Sequence, residues 1–229
     1  MEEYLWIVYP YISLFMLVVG LFFRYHYGQL GWGSRSSELL EKRLLKTGSL
    51  LFHYGILAVF GGHFLGLIVP LSFYHWIGVP DEFYHHILAD GAGGLAGVVT
   101  WIGVVLLLIR RLGNKRVRRN SSTPDLVALI MLFIVITLGD AMTIGYNNII
   151  GSYEYRTTVG PWFRSLFTMS PDASLMRDVP LLLKIHIIST FTLIGISPFT
   201  RLIHFWSVPV RYPIRRPLQY RSRTQYGRR

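Results

Sequence analysis

The sequence predicts an all-α integral membrane protein with five transmembrane helices, and three observations predict it. Hydrophobic residues make up 52% of the 229 and charged residues only 15%, well below the roughly 25% of a soluble domain. The apolar residues fall in runs long enough to cross a hydrocarbon core, which takes about 20 residues as helix. Lysine and arginine gather in alternate loops between those runs, as topology signals do.

The runs lie at roughly 4–23, 48–70, 92–109, 125–146 and 180–205. Punctuation supports two of the starts: Thr123 as a cap before Pro124, and Asp178 as a cap with Pro180 just inside. Pro198 sits within the fifth run and predicts a bend, which membrane helices tolerate. Between the first and second runs lie Arg24, Arg35, Lys42, Arg43 and Lys46. Six Lys/Arg occupy 110–119 and eight lie from Arg201 onward, against none in 71–91 and three in 147–179. The positive-inside rule therefore puts the N-terminus outside and the two basic loops and C-terminus in the cytoplasm. Residues 1–207 form one transmembrane domain and 208–229 a basic cytoplasmic tail, a topology signal or lipid contact on one reading and a partner-docking segment on the other. No internal repeat and no second folded domain is evident. The 147–179 stretch, with Trp162, Phe163 and Phe167, is expected to lie along the outer membrane interface.

Composition also excludes. A net charge of +11 does not imply nucleic acid, because the basic residues flank apolar runs instead of forming one soluble face. The absence of cysteine rules out disulfides, cysteine-ligated iron–sulfur clusters and covalently attached c-type haem. The Met1-Glu2-Glu3 start lacks the basic region of a cleaved signal peptide. Gly91 to Ala96 formally fits a GxGxxA dinucleotide fingerprint, but with no preceding strand it is better taken as close helix packing.

The chemistry sits in the histidines. Four of the eight fall inside or at the ends of apolar runs: His53 and His63 on the second, His186 and His204 on the fifth. Ionisable residues at that depth are costly and mark function. The two helices run in opposite directions, so His63 and His186 belong near the outer face and His53 and His204 near the inner face. Each pair suits the two axial positions of a haem iron, an electron-transfer arrangement with no site for oxygen. Structural histidines or another metal are the alternatives. Spacing is an imperfect check: 18 residues between His186 and His204 rise about 27 Å, whereas ten between His53 and His63 rise about 15 Å and turn by about 80°. Gly55, Gly61, Gly62 and Gly66 allow close helix packing, or room for a flat macrocycle, or both.

At these residues a resemblance emerges. SLLFHYGILAVFGGHFLG (49–66) and KIHIISTFTLIGISPFTRLIHFWSVP (184–209) resemble the gamma subunit of respiratory nitrate reductase. RSSELLEKRLLKTGS (35–49) and YRTTVGPWFR (155–164) are similar to its Gram-positive members in particular. The resemblance implies two b haems, with His63 and His186 on the outer, low-potential one and His53 and His204 on the inner, high-potential one. It implies an iron–sulfur beta subunit and a molybdenum-containing alpha subunit as partners, and menaquinol or ubiquinol as electron donor. Nitrate itself would be reduced on another chain. The membrane would be the cytoplasmic membrane of a bacterium or archaeon, with lipid and quinone as further contacts.

Quinol oxidation needs a proton acceptor. The 71–91 segment carries His75, Asp81, Glu82, His85, His86 and Asp90 without Lys or Arg. A lysine of this segment is implicated at the quinone site in related members. His86 is the best-matching position here, with His85 as the alternative. An interfacial segment with ordinary belt residues is the competing reading. Protons released outside while electrons leave inside would make turnover electrogenic. Arg110, Arg111 and Arg201 are either membrane anchors or partners of haem propionates. Asp140, within the fourth run, is assigned no role. Related b-type subunits of sulfur-compound or heterodisulfide reductases share these expectations. A cofactor-free anchor or transporter does not, and the inverted repeats and broken mid-membrane helices of transporters are not found.

Overall fold

A computed structural model describes residues 2–28 and 37–206, so the basic tail from 208 lies outside the described residues. Among these residues all regular structure is helical. Five helices are long and apolar enough to cross a membrane: α1 (Tyr4–Tyr27), α2 (Arg43–Ile68), α4 (Asp81–Gly113), α6 (Thr123–Ile149) and α8 (Leu181–Phe199). Shorter helices connect or extend them: α3 (Leu71–Trp76), α5 (Lys115–Arg119), α7 (Val159–Phe167) and α9 (Ile203–Trp206). The chain is a multi-pass membrane protein.

The boundaries differ from the sequence expectation in four instructive places. The third span starts at Asp81, about eleven residues early, because the polar 81–91 stretch winds into the helix, its Tyr84–Gly93 part with a wide π-type turn. His85, His86 and Asp90 are therefore helical, not loop, residues. The cap of α6 is Ser122, not Thr123: the Asp125 carboxylate accepts its main-chain N–H at 3.3 Å, and Pro124 fills the first turn. Asp178 does not cap α8. Pro180 precedes that helix and carries its entry in an extended conformation.

The fourth difference matters most. Pro198 does not merely bend α8 but ends it. Ser197–Phe199 tightens into a 3₁₀ turn and Thr200 is fully extended (φ −120°, ψ −178°). His204 then rides on α9, held by a Trp206 Nε1 donation to Ser197 Oγ (3.0 Å) and by Phe205 against Phe60 of α2 (ring centres 5.5 Å). Gly20 of α1 makes the room: a Cβ there would stand 2.7 Å from the Pro198 ring. The five-turn spacing of His186 and His204 along one straight helix does not apply, which removes the mismatch with His53 and His63.

Packing runs α2 on α4, α4 on α6, α6 on α8 and α8 on α1, while α2 and α8 are not packed on one another. Small residues make the closest seam. A Cβ at Gly103 of α4 would collide with the Phe52 backbone, and one at Gly55 of α2 with Thr100. In lipid, where no hydrophobic force draws helices together, such contact supplies dispersion energy directly. Trp101 Nε1 donates to Thr137 Oγ1 between α4 and α6 (3.0 Å), and Tyr9 shares a 2.6 Å hydrogen bond with Thr192 between α1 and α8. The main apolar cluster joins α1, α7 and α8 through Trp6, Val159, Trp162, Leu166, Met176, Ile187 and Phe191. Trp162 is thus core, donating to the Trp6 carbonyl at 2.9 Å, while Phe167 on the other face is exposed as an interfacial residue would be. The end of α2 is closed by side chains: Tyr74 donates to the Leu65 carbonyl (2.9 Å) and Arg164 to that of Leu67 (2.8 Å), satisfying carbonyls a membrane helix cannot leave bare.

Gly103→Val overfills the α2–α4 seam and is expected to lower stability by about 1–3 kcal/mol, measured as resistance to unfolding in mixed detergent. Gly113→Ala, where an added Cβ meets nothing within 4 Å, is expected to leave it unchanged or slightly raised.

Candidate functional site

The structure brings the four intramembrane histidines together in two pairs. His63 and His186 face each other with ring centres 6.2 Å apart and planes at 32°; His53 and His204 do so at 6.4 Å and 57°. Each ring is fixed the same way. His53 Nδ1 donates to the Ser49 carbonyl (2.7 Å) and His63 Nδ1 to that of Val59 (2.8 Å), each one turn back on α2. His204 Nδ1 donates to the Arg201 carbonyl (2.6 Å). His186 reaches across to α6 and donates to the Val135 carbonyl (3.0 Å). Donation from Nδ1 fixes the tautomer and makes Nε2 the lone-pair nitrogen of all four rings. Among the described residues no group of three or more His, Asp or Glu side chains is arranged around a common metal position; the arrangement is two-fold at each level.

Two supports of this geometry carry no sequence pattern. Gly139 lets α6 approach the His186 ring, since a Cβ there would stand 3.1 Å from its Cε1. The second is the π-type widening that follows at Ala141–Tyr146, matched by another at Phe64–Ile68 directly after His63. Such widenings recur at functional sites. The glycines of α2 divide between the two uses expected of them. Gly55 and Gly66 are packing contacts, against Thr100 and Tyr155, whereas a Cβ at Gly61 or Gly62 meets nothing within 4 Å. The membrane carboxylate Asp140 lies in the notch left by Gly97 of α4.

The three arginines separate by role. Arg110 is almost fully buried and fully engaged: it donates to the Glu41 carboxylate, to Ser37 Oγ and to the carbonyls of Ser37 and Glu41, at 2.8–3.0 Å. It staples the segment before α2 to the end of α4, and its guanidinium is committed to that task. Hydrogen bonds from the Leu44 backbone, and then from Arg110, hold the Glu41 carboxyl below its usual range. Arg111 and Arg201 instead converge on one carboxylate, Asp125, at 3.2 and 3.8 Å. Burial and the neighbouring Arg111 push the Arg201 guanidinium below its usual range.

At the opposite end a second polar cluster forms. Arg156, 1% exposed, donates to Glu154 (2.6 and 2.8 Å) and to Asp81 (2.8 Å) and lies over the Tyr84 ring (3.9 Å). Glu154 also meets His85 Nε2 at 2.6 Å, and Tyr84 and Tyr155 share a hydrogen bond of 3.1 Å. Burial raises the Glu154 carboxyl, but the hydrogen bonds from Arg156 and His85 outweigh it and hold it below the usual value. Burial also pushes the Tyr155 phenol upward. Of the other residues singled out in this segment, His75 pairs with Asp81 (3.2 Å) at the exposed rim, Glu82 and His86 are exposed, and Asp90 is tied to Asn147 and Ser152. Arg156 and Glu154 were not identified from sequence; they lie about 70 residues from Asp81 and His85.

Five membrane-spanning helices, with two facing pairs of carbonyl-anchored histidines between them and α9, define a polytopic membrane protein. A sequence profile described as nitrate reductase gamma subunit matches residues 2–223. The nitrate reductase gamma chain of Bacillus subtilis is 44% identical over 223 residues, 97% of this chain and 99% of that one. The respiratory nitrate reductase 2 gamma chain of Escherichia coli is 38% identical over 218 residues, 94% of this chain and 95% of that one. A nitrate reductase-like protein of Mycobacterium tuberculosis is 38% identical over 226 residues, 98% of this chain but 34% of that protein. The chain belongs to the nitrate reductase gamma subunit family and is a membrane subunit of a nitrate reductase, an oxidoreductase of the bacterial cytoplasmic membrane.

The Glu154 shift has a definite sign. A carboxyl whose folded pKa lies below its unfolded value contributes stability that is complete above the ordinary glutamate pKa and is lost as pH falls through the folded value. Amide protection of residues 151–158 is therefore expected to hold at neutral pH and to fall on acidification below the usual carboxylate range. Arg156→Met, which leaves two carboxylates without their cation, is expected to lose that protection at neutral pH, both changes being read by hydrogen exchange.

Proposed function

We propose that the chain is the quinol-oxidising cytochrome b subunit of its complex, with His63 and His186 as axial ligands of one b haem and His53 and His204 of a second. One observation carries this: both pairs share the same ring separation, with every ring anchored at Nδ1. With a metal–imidazole bond of about 2.0 Å and roughly 1.1 Å from nitrogen to ring centre, two imidazoles holding one iron between them would stand about 6.2 Å apart. The 6.2 and 6.4 Å of the two pairs agree. The open flank at Gly61 and Gly62, and helices α2 and α8 that meet through imidazoles and not by direct packing, suit a flat macrocycle. A bis-histidine b haem supplies reversible one-electron transfer without an open position for oxygen.

The chain's own residues do the rest. Carbonyl-bound Nδ1–H groups keep Nε2 basic and aimed along the pair axis. Arg111 and Arg201, which meet at Asp125 beside the His53/His204 end, are the arginines placed to hold a haem propionate there; Arg110, engaged with Glu41 and Ser37, is not. The positive-inside distribution of Lys and Arg puts the N-terminus and the His63/His186 pair outside, and the His53/His204 pair and C-terminus towards the cytoplasm. Electrons from menaquinol or ubiquinol, oxidised at the outer end near His85 and His86, would cross the bilayer and leave to an iron–sulfur beta subunit. A molybdenum-containing alpha subunit would reduce nitrate. Protons released outside while electrons leave inside make turnover electrogenic.

Pyridine haemochrome assay of the purified subunit is expected to give two protohaems per chain. His63→Ala or His186→Ala is expected to abolish one low-spin centre, and His53→Ala or His204→Ala the other. Two intact centres in any of these variants would refute the ligand assignment. Gly139→Val, which presses on the His186 ring, is expected to shift the midpoint potential of the His63/His186 centre alone in a redox titration.

A further inference from the structure

Resting on that reading, we propose that His85 and Glu154 form the proton exit of the quinol site: His85 accepts the hydroxyl proton of the quinol and Glu154 delivers it to the outer water. The pair is placed for the task. His85 Nε2 lies 2.6 Å from Glu154 Oε2, and the side chains are 12% and 31% exposed, so the route climbs from a nearly buried imidazole to a carboxylate in contact with solvent. With Nε2–H donated to Glu154, His85 Nδ1 holds the lone pair. This is the opposite tautomer from the four anchored histidines, and the one a proton acceptor needs.

The cluster also adjoins the turn of α2 that follows His63. Tyr155 packs its hydroxyl on Gly66, about one turn beyond His63 on α2, and bonds the Tyr84 hydroxyl, whose neighbour in sequence is His85. The groups around the pair are Arg156, Asp81, His75, Tyr74, Tyr84 and Tyr155. Arg156 is the cation that matters: bound to Glu154 and Asp81 together, it helps hold the Glu154 carboxyl below its usual range, so an arriving proton passes on to water. His86, the other histidine of this turn, is exposed.

The step balances simply. The quinol O–H bond breaks and its proton goes to His85 Nδ1. His85 Nε2–H gives its proton to Glu154 Oε2, and the resulting acid loses it to the outside. Proton exchange with water returns His85 to its Nε2–H tautomer, and a second passage removes the second proton. The quinol loses two electrons as well and is left as quinone; a b haem held by His63 and His186 would take them up one at a time.

The test uses the whole complex and a water-soluble menaquinol analogue, following haem reduction by stopped flow between pH 5.5 and 8.5. Glu154→Gln keeps the size of the side chain but cannot carry the proton. It is expected to retain both haems and full reduction by dithionite. Quinol-driven haem reduction is expected to slow about 10²-fold with its pH profile altered, and Glu154→Asp to recover most of the rate. His85→Gln, which leaves Arg156, Glu154 and Asp81 paired, is expected to show the same loss and keeps the test open should Glu154→Gln fail to fold. Wild-type rate and pH profile in either variant, with haem content intact, would overturn the proton exit while leaving the functional reading in place. Absence of haem from the wild-type complex would instead overturn that reading, and this inference with it.

Discussion

Four hydrogen bonds, each from an imidazole Nδ1 to a main-chain carbonyl, govern the interior of this protein. A histidine in hydrocarbon is costly unless its donor is used, and here the donor goes to a carbonyl that already accepts a helical bond or lies beside a helix break. The same bond fixes the tautomer, so the lone pair of each ring lies on Nε2. Three of the carbonyls belong to the residue's own neighbourhood, three or four positions back. The fourth, Val135, belongs to α6. The register of α6 against α8 is therefore part of the site.

The remaining architecture supports that arrangement. Glycine seams draw α2 onto α4 at Gly55 and Gly103 and let α6 approach His186 at Gly139. The packing order α2, α4, α6, α8, α1 lets α2 and α8 meet through their histidines without the backbones closing on each other. Pro198, received by Gly20 of α1, stops α8 after His186 and redirects the chain so that α9 returns His204 to His53. At the far end, Arg156 gathers Asp81, Glu154 and, through Glu154, His85 from separate segments, with the Tyr84 ring completing its shell. That cluster combines a structural bolt with a chain of exchangeable protons.

The five spans were legible because apolar run length is a one-dimensional property. Where polar residues enter a helix the signal failed: α4 begins at Asp81, with Glu82, His85 and His86 in its first turns, so its start passed for a loop. The pairing of His63 with His186 and of His53 with His204 was legible from helix direction alone. The spacing along α8 was not, because a proline announces a bend and says nothing of the extended residue at Thr200 that follows. Likewise Gly139 and Val135 have no signature, since what matters is which helix faces them. Arg156 and Glu154 sit in a segment whose similarity to the family was evident but whose partners lie about 70 residues away, a relation only the folded chain supplies.

Near-infrared magnetic circular dichroism of the oxidised, purified complex counts haems whose two axial ligands are both imidazole, independently of turnover. The arrangement of the four histidines predicts two such low-spin ferric b haems per gamma chain. A single bis-imidazole haem, or a haem with water or methionine in an axial position, would contradict it.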